Sequence, residues 1–428
     1  MKSYKAMSAE ELSGLKDQLE KEYEDVKGKG LSLNMARGKP SSEQLDLVMD
    51  IFDVFDSHSD LFTDSGVDAR NYGDLTGIKE AKELIAELME VDPSKVIVFG
   101  NASLPIMYDT VSRSFNFGVN GGKPWKELDK VKFLCPVPGY DRHFAITEQF
   151  GIEMINIPLG PKGPDMELVK KYVESDESVK GIWCVPKYSN PTGITFSDDT
   201  VRAFAALNPK ASDFRIFWDN AYAVHDLYED RKDVLLNIIA ECEKTGREDM
   251  VYEFVSTSKI TFAGAGIAAV ISSKDNLDWI KSTMTIQTIG YDKINQLRHV
   301  RYFKNAEGIR KKMKEHASVM APKFDAVLDC FDKELSGLDI GTWTRPNGGY
   351  FISFMAMKGC AKEIIRRCKE AGMVTTGAGA TYPYKKDPDD ANIRIAPSYP
   401  TLEDMKEAAA LFALCVKLVS VETLLGEK

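Results

Sequence analysis

No apolar run in these 428 residues reaches the roughly 18 needed to span a bilayer, so a membrane-spanning helix is not expected. A basic tail and a Lys/Arg block are also missing. The 55 basic and 65 acidic residues leave a formal charge of -10, which argues against general nucleic-acid binding. The opening residues Met1-Lys2-Ser3-Tyr4-Lys5 lead into a charged segment and not into the apolar core of a secretion signal, so a cytoplasmic location is expected. Cysteine is sparse: Cys135, Cys184, Cys242, Cys330, Cys360, Cys368 and Cys415 are odd in number and scattered, which fits reduced thiols. None has metal-ligand spacing, and the five histidines stand apart, so no metal site is expected. Internal repeats and low-complexity linkers are likewise absent.

What is present is a soluble globular composition, 43% hydrophobic and 28% charged, long enough for two domains or for one large α/β domain with an appendage. Ser8-Ala9-Glu10-Glu11 is a capping box and predicts a helix to about Lys27, stopped by Gly28 and Gly30. The Gly and Pro of residues 31–40 mark a loop whose backbone, at Gly38, can approach a ligand closely. A β-branched run at 95–99 feeds Gly100-Asn101-Ala102-Ser103 and then a helix, an arrangement that serves either as an anion site or as an ordinary βα turn. Further short apolar runs at 131–135, 181–186, 215–218 and 251–255 alternate with helix-length stretches, the pattern of a mostly parallel sheet. From about Glu307 the pattern changes to long amphipathic helices with short strands at 349–354 and 392–395. The expected domains are 1–55, an arm joining the smaller domain; 56–306, the large domain; and 307–428, the smaller α+β domain.

Ligands of such sheets collect at the carboxyl ends of the strands, and four chemical groups sit there. Lys259 follows the fourth run inside Ser256-Thr257-Ser258-Lys259-Ile260; partial burial lowers an amine's pKa and suits it to Schiff-base chemistry, although a surface lysine in a Ser/Thr turn reads the same way. Asp219 directly follows Ile216-Phe217-Trp218, where a buried carboxylate costs several kcal/mol unless it meets a cation. A protonated pyridine nitrogen is one such cation; capping of the next turn is the alternative. Asn190 and Tyr222 can hydrogen-bond a phenolate oxygen, and Tyr140 offers a ring face for stacking. Arg394 stands inside the apolar strand Asn392-Ile393-Arg394-Ile395, where it needs a carboxylate partner from a substrate or from the chain itself.

The order Asn190-Pro-Thr-Gly, Asp219-x-Ala-Tyr222, Ser256-x-Ser-Lys259, Arg394, with steps of 29, 40 and 135 residues, resembles fold-type I, class I pyridoxal-phosphate aminotransferases. The likeness runs from Gly38 to Arg394 and is nearest to the divergent bacterial aspartate aminotransferases often labelled as related to MocR regulators. Those regulators carry a winged helix-turn-helix, for which the roughly 30 residues before the glycine loop leave no room. The resemblance implies a fold-type I transferase, with a mostly parallel seven-stranded sheet covered by helices on both faces and a smaller α+β domain. It implies pyridoxal 5'-phosphate as cofactor, with Lys259 as the Schiff-base lysine and Asp219 holding the pyridinium. Asn190 and Tyr222 would meet the phenolate oxygen, Tyr140 would stack on the ring, and Asn101, Ala102, Ser103, Ser256 and Ser258 would bind the phosphate. Tyr72 matches the tyrosine that reaches the neighbouring subunit's cofactor, which implies a homodimer with shared sites. Gly38 and Arg394 match the residues beside the substrate and on its α-carboxylate.

One departure is visible. Where many members have a phosphate-binding arginine after Phe-Ala-Gly, this chain has Gly266 and Ile267, so Lys293 is the candidate counter-charge. The usual arginine for a distal carboxylate is also missing from 285–290, which leaves Arg142 as candidate and Lys293 in reserve; His143 is expected to orient Asp219. The leading expectation is an aminotransferase acting on aspartate or glutamate and 2-oxoglutarate or oxaloacetate, by a ping-pong mechanism, with small-molecule amino acid and 2-oxo acid substrates and neither nucleic acid nor membrane as partner. An aminotransferase for aromatic amino acids or kynurenine, a C–S β-lyase and a catalytically silent ligand-sensing domain are the alternatives; the intact lysine, aspartate and arginine argue against the last.

Overall fold

The apolar runs align in one sheet. In the computed structural model, which describes residues 2–426, its strands are β1 (Val96–Val98), β2 (Lys132–Val137), β3 (Glu153–Gly160), β4 (Gly163–Pro164), β5 (Val179–Cys184), β6 (Arg215–Asp219), β7 (Val251–Ser256) and β8 (Ala268–Ile271). Their order is β1-β8-β7-β6-β5-β2-β3-β4. The five central strands β7-β6-β5-β2-β3 run parallel, while β8 is antiparallel to both β1 and β7, and β4 to β3. The sheet therefore has eight strands and not seven. The extra one, β4, is a two-residue Gly-Pro edge piece, and those residues carry no strand signal.

The innermost strands β5 and β6 are buried along their whole length and β7 along all but its last residue, as a parallel sheet covered on both faces requires. Along β6, Ile216 and Trp218 pack into one layer and Phe217 into the other. By the same alternation Asp219 emerges on the Phe217 side, where Trp183 and Phe133 also pack.

Several helices carry or brace the strand ends: α1 (Ala9–Lys27), α2 (Ser42–Asp46), α3 (Ser103–Phe117), α4 (Asp141–Gln149), α5 (Lys293–Phe303), α6 (Ala306–Leu335) and α7 (Leu402–Leu424). The capping box at Ser8 and Glu11 is formed, and α1 ends at Gly28. A second core joins Leu12, Leu19 and Tyr23 of α1 to α6, α7 and a three-stranded antiparallel sheet of Gly341–Trp343, Ile352–Ala356 and Asn392–Ile395. The loop after α1 contributes Leu33–Asn34, paired in parallel with Met373–Val374. This strand fixes the start of the segment that runs past Gly38 toward the ends of the large sheet.

Candidate active site

Asp219 ends β6 with both carboxylate oxygens buried. His143, on α4, sets its Nε2 3.0 Å from Oδ2, and its ring stacks on Trp183 at 4.4 Å. Oδ1 meets no donor among the described residues. A buried carboxylate oxygen left unpaired is costly, so Asp219 is built to receive a proton donor from something the chain does not itself supply. The side chain of Tyr140, which precedes α4, meets His143 edge-on at 4.9 Å.

Lys259 leaves the end of β7 in a turn held by the amides of Ile260 and Thr261, both donating to the Thr257 carbonyl. Its Nζ lies 4.8 Å from the centre of the Tyr222 ring and 6.0 Å from that of Tyr350. Burial depresses the amine's proton affinity, and the charge of Asp219 partly restores it. Desolvation holds the Tyr222 hydroxyl well above its ordinary range, so it is a neutral donor.

The start of α3 has no side-chain cap: Ala102 is its N-cap, and an uncapped helix start of this kind suits an anion. Across from it the Ser258 hydroxyl donates to the Asn101 carbonyl at 2.8 Å, and the Asn101 amide donates to Ala263 at 3.3 Å. The two segments that the sequence assigns to a phosphate are thus tied together, with Ser256 at the intervening strand end. The glycine in place of an arginine has a structural reason. A Cβ on Gly266 would sit 2.9 Å from Thr257 Oγ1 and 3.1 Å from both Asn101 O and Ser258 N, so this close packing admits no side chain.

On the other side of the cleft, Arg394 projects from Asn392–Ile395 over the Phe351 ring, 4.8 Å from its centre. Its Nη1 donates to Asn190 Oδ1 at 3.2 Å and to Asp141 Oδ1 at 3.0 Å, and its Nε donates to Thr376 at 3.3 Å. A Cβ on Gly38 would fall 2.2 Å from Phe351, so only glycine lets the arm lie against the ring that supports Arg394. The hydroxyls of Thr376 and Ser398 donate to the carbonyls of Ala36 and Lys39, which pins that stretch.

Three residues singled out in the sequence stand apart from this cluster. Lys293 is buried, but its amine donates to the carbonyls of Asn71 at 2.6 Å and Gly73 at 3.1 Å, with Asp74 at 3.6 Å; it braces the Tyr72 loop and does not serve as a phosphate counter-charge within its own chain. Tyr72 itself is 82% exposed. Arg142 is exposed on the first turn of α4. Residues without any local motif also belong to the site: Asp141, Phe351, Thr376, Tyr350, Gln44 and His316. Asp141 adjoins Tyr140 in sequence; each of the others is brought in from a distant part of the chain, and only tertiary packing marks it.

A cavity of about 680 Å3 lies on the opposite face of β6 and β7, with Asn220 and Glu253 among its walls, and contains none of the cluster above. Burial raises the Glu253 carboxyl to about 7, against a single hydrogen bond of 2.9 Å from Asn220.

A family model described as aspartate amino-transferase matches residues 7–428. The chain is 42% identical over 421 residues to the aspartate aminotransferase of Corynebacterium glutamicum, covering 98% of this chain and 97% of that one. The crystal structure of an aspartate transaminase from the same organism superposes with a TM-score of 0.96 at 42% identity, over 99% of both chains. The α-aminoadipate aminotransferase of Thermus thermophilus, solved with N-(5'-phosphopyridoxyl)-L-leucine, shares the fold with a TM-score of 0.71 at 19% identity, over 94% of both chains.

Proposed function

The chain belongs to the aspartate aminotransferase family of pyridoxal-phosphate enzymes, and on that premise we propose that it moves the amino group between aspartate or glutamate and 2-oxoglutarate or oxaloacetate in two alternating half-reactions. The observation that carries the reading is the buried, unpartnered Oδ1 of Asp219 beneath Lys259. The identity to the Corynebacterium enzyme, named an aspartate aminotransferase, supports aspartate as donor.

Pyridoxal phosphate, when bound, supplies a carbonyl carbon that condenses with amines and a pyridinium ring that takes up electrons. The rest falls to the chain. Asp219 Oδ1 keeps a proton on the ring nitrogen, and His143 holds Asp219 in place through Oδ2. Lys259, a buried amine whose basicity burial lowers, would be the base that moves the substrate's α-proton. Asn190 and the neutral hydroxyl of Tyr222 would donate to the phenolate oxygen, and Tyr140 would cover the ring. Asn101, Ala102, Ser103, Ser256 and Ser258 would hold the phosphate.

Arg394 takes the α-carboxylate. It is already aimed and braced by Asn190, Thr376 and the Phe351 ring, and the substrate displaces Asp141 from Nη1. Gly38 allows the arm to close the cleft against water. Arg142 meets the distal carboxylate. Because Arg142 is exposed, selection for dicarboxylic substrates rests on a screened contact, which keeps an aromatic amino donor as the second reading.

A homodimer with composite sites completes the proposal. The exposed Tyr72 is 82% accessible and Ile286 91% accessible; the loop of the first is bonded to Lys293, close in sequence to the second. Exposed large apolar side chains of this kind suit contact with a second copy. The test is a set of half-reactions: cofactor-loaded protein mixed with single amino acids and no acceptor, followed by absorbance. Aspartate and glutamate should react fastest; a faster aromatic donor selects the second reading.

A further inference from the structure

The sequence has five histidines. One, His143, is spent on Asp219, and His58 is exposed. The other three, though far apart in sequence, converge on one turn, Lys259 to Thr261.

His316, on α6, lies with Nε2 3.1 Å from the Ile260 carbonyl and Nδ1 3.3 Å from Gln44 Nε2. A carbonyl only accepts and an amide NH2 only donates. The orientation of the Gln44 amide is set independently, since its Oε1 accepts the Ser41 amide in the capping box of α2 and its Nε2 also reaches the Tyr350 hydroxyl at 3.2 Å. His316 is therefore the neutral tautomer that donates from Nε2 and accepts at Nδ1. His299, on α5, has its nitrogens exchanged. Nδ1 donates to the Asn295 carbonyl at 2.8 Å, which leaves Nε2 of the neutral ring to accept from the Thr261 hydroxyl at 3.0 Å, a proton the hydroxyl shares with the Thr257 carbonyl at 3.2 Å. His225 is buried edge-on to Tyr222 at 5.5 Å, beside Lys259.

We propose that His299 and His316 are positioning residues for Lys259: as neutral imidazoles of fixed tautomer they pin the side chain of Thr261 and the main chain of Ile260, and Gln44 of the N-terminal arm sets the tautomer of His316. The lysine's direction out of β7 thereby depends on three segments that no local motif connects. Burial keeps both rings neutral, their proton affinities lowered to about 4. The charged and titratable groups around them are Lys312, Glu315 and His225 at His316, and Arg298 and Asp292 at His299.

The inference rests on Lys259 being the reacting amine, so its test uses cofactor-free protein and needs no turnover. Amine modification by acetic anhydride across pH reports the proton affinity of Lys259, and hydrogen exchange reports the amides of Ile260 and Thr261. His316→Leu should speed exchange of those amides by roughly tenfold or more and displace the Lys259 midpoint, whereas His316→Gln, which still offers a donor to Ile260, should restore both. Gln44→Glu keeps the shape of the arm but asks Nδ1 to donate, so it should raise the His316 midpoint, read by imidazole NMR, and move the Lys259 midpoint with it. Unchanged Lys259 midpoint and amide exchange in folded His316→Leu overturn the proposal. If that variant does not fold, Gln44→Glu decides: a raised His316 midpoint with Lys259 unmoved overturns it equally.

Discussion

His143 Nε2 stands 3.0 Å from Asp219 Oδ2, while Oδ1 of the same carboxylate is buried without a partner. One oxygen is thus used to aim the other. Asp219→Asn should fold normally but lose several powers of ten in turnover, each power corresponding to about 1.4 kcal/mol of barrier, because an amide does not hold a pyridine nitrogen protonated. His143→Ala should lose less, since it removes the aim and not the charge. Steady-state rates beside melting curves check both; Asp219→Asn within about threefold of wild type is the failing outcome.

Glu253 makes a pH prediction. Its carboxyl is raised to about 7 in the fold by burial, from 4.5, so the folded protein keeps a proton that the unfolded chain releases between those values. Stability present below about pH 4.5 is lost as pH rises to 7, by about 3 kcal/mol. Glu253→Gln should be more stable than wild type at pH 8 and equal to it near pH 4. Denaturant unfolding at the two pH values checks this; a pH-independent difference contradicts it.

His299 and His316 act with the opposite sign. Both are depressed from 6.5 to about 4, so the unfolded chain takes up protons first as pH falls. Stability should decline from about pH 6.5 to pH 4, by about 3 kcal/mol for each ring. Replacing His316 with Gln should flatten that part of the curve, and an unchanged slope would assign the acid limb to other groups.

Arg142 is exposed, so its contact with a distal carboxylate is worth about 1 kcal/mol or less, and not the several kcal/mol of a buried pair. Arg142→Ala should lower kcat/KM for aspartate and glutamate by roughly twofold to fivefold and leave alanine unaffected. Equal losses for all three donors would remove Arg142 from substrate selection.

The shared site of the proposed dimer is tested by mixing. Lys259→Ala and Tyr72→Ala subunits, each inactive alone, should recover part of the activity in hybrid dimers. An active monomer in sedimentation refutes the arrangement.

Much of this site was legible before any coordinates. Lys259, Asp219 and Asn190 each follow a short apolar run, and the carboxyl ends of parallel strands must converge. Arg394 stood out because a guanidinium inside an apolar strand needs a partner; its pairing with Asp141 did not, since 253 residues separate them. The same-chain partners of Lys293 are equally hidden in the sequence: the carbonyls of Asn71 and Gly73 reach it across more than 200 residues, and main-chain acceptors leave no trace in composition. Gly266 stands where the resemblance places an arginine, and only the crowding around its Cα gives the reason. Gln44 and His316 are 272 positions apart, so no spacing rule finds them. Of the eight strands, β3, β4 and β8 are not among the runs named from the sequence, and β4 is a strand by its hydrogen bonds and not by its residues.

The most direct test of the central claim is one spectrum. Protein loaded with pyridoxal phosphate should absorb near the edge of the visible, and adding L-aspartate without an acceptor should replace that band with one in the ultraviolet, while Lys259→Ala should show neither the starting band nor a conversion at a comparable rate. A wild-type band that no amino acid shifts, or a Lys259→Ala protein that converts as fast as wild type, would contradict the account.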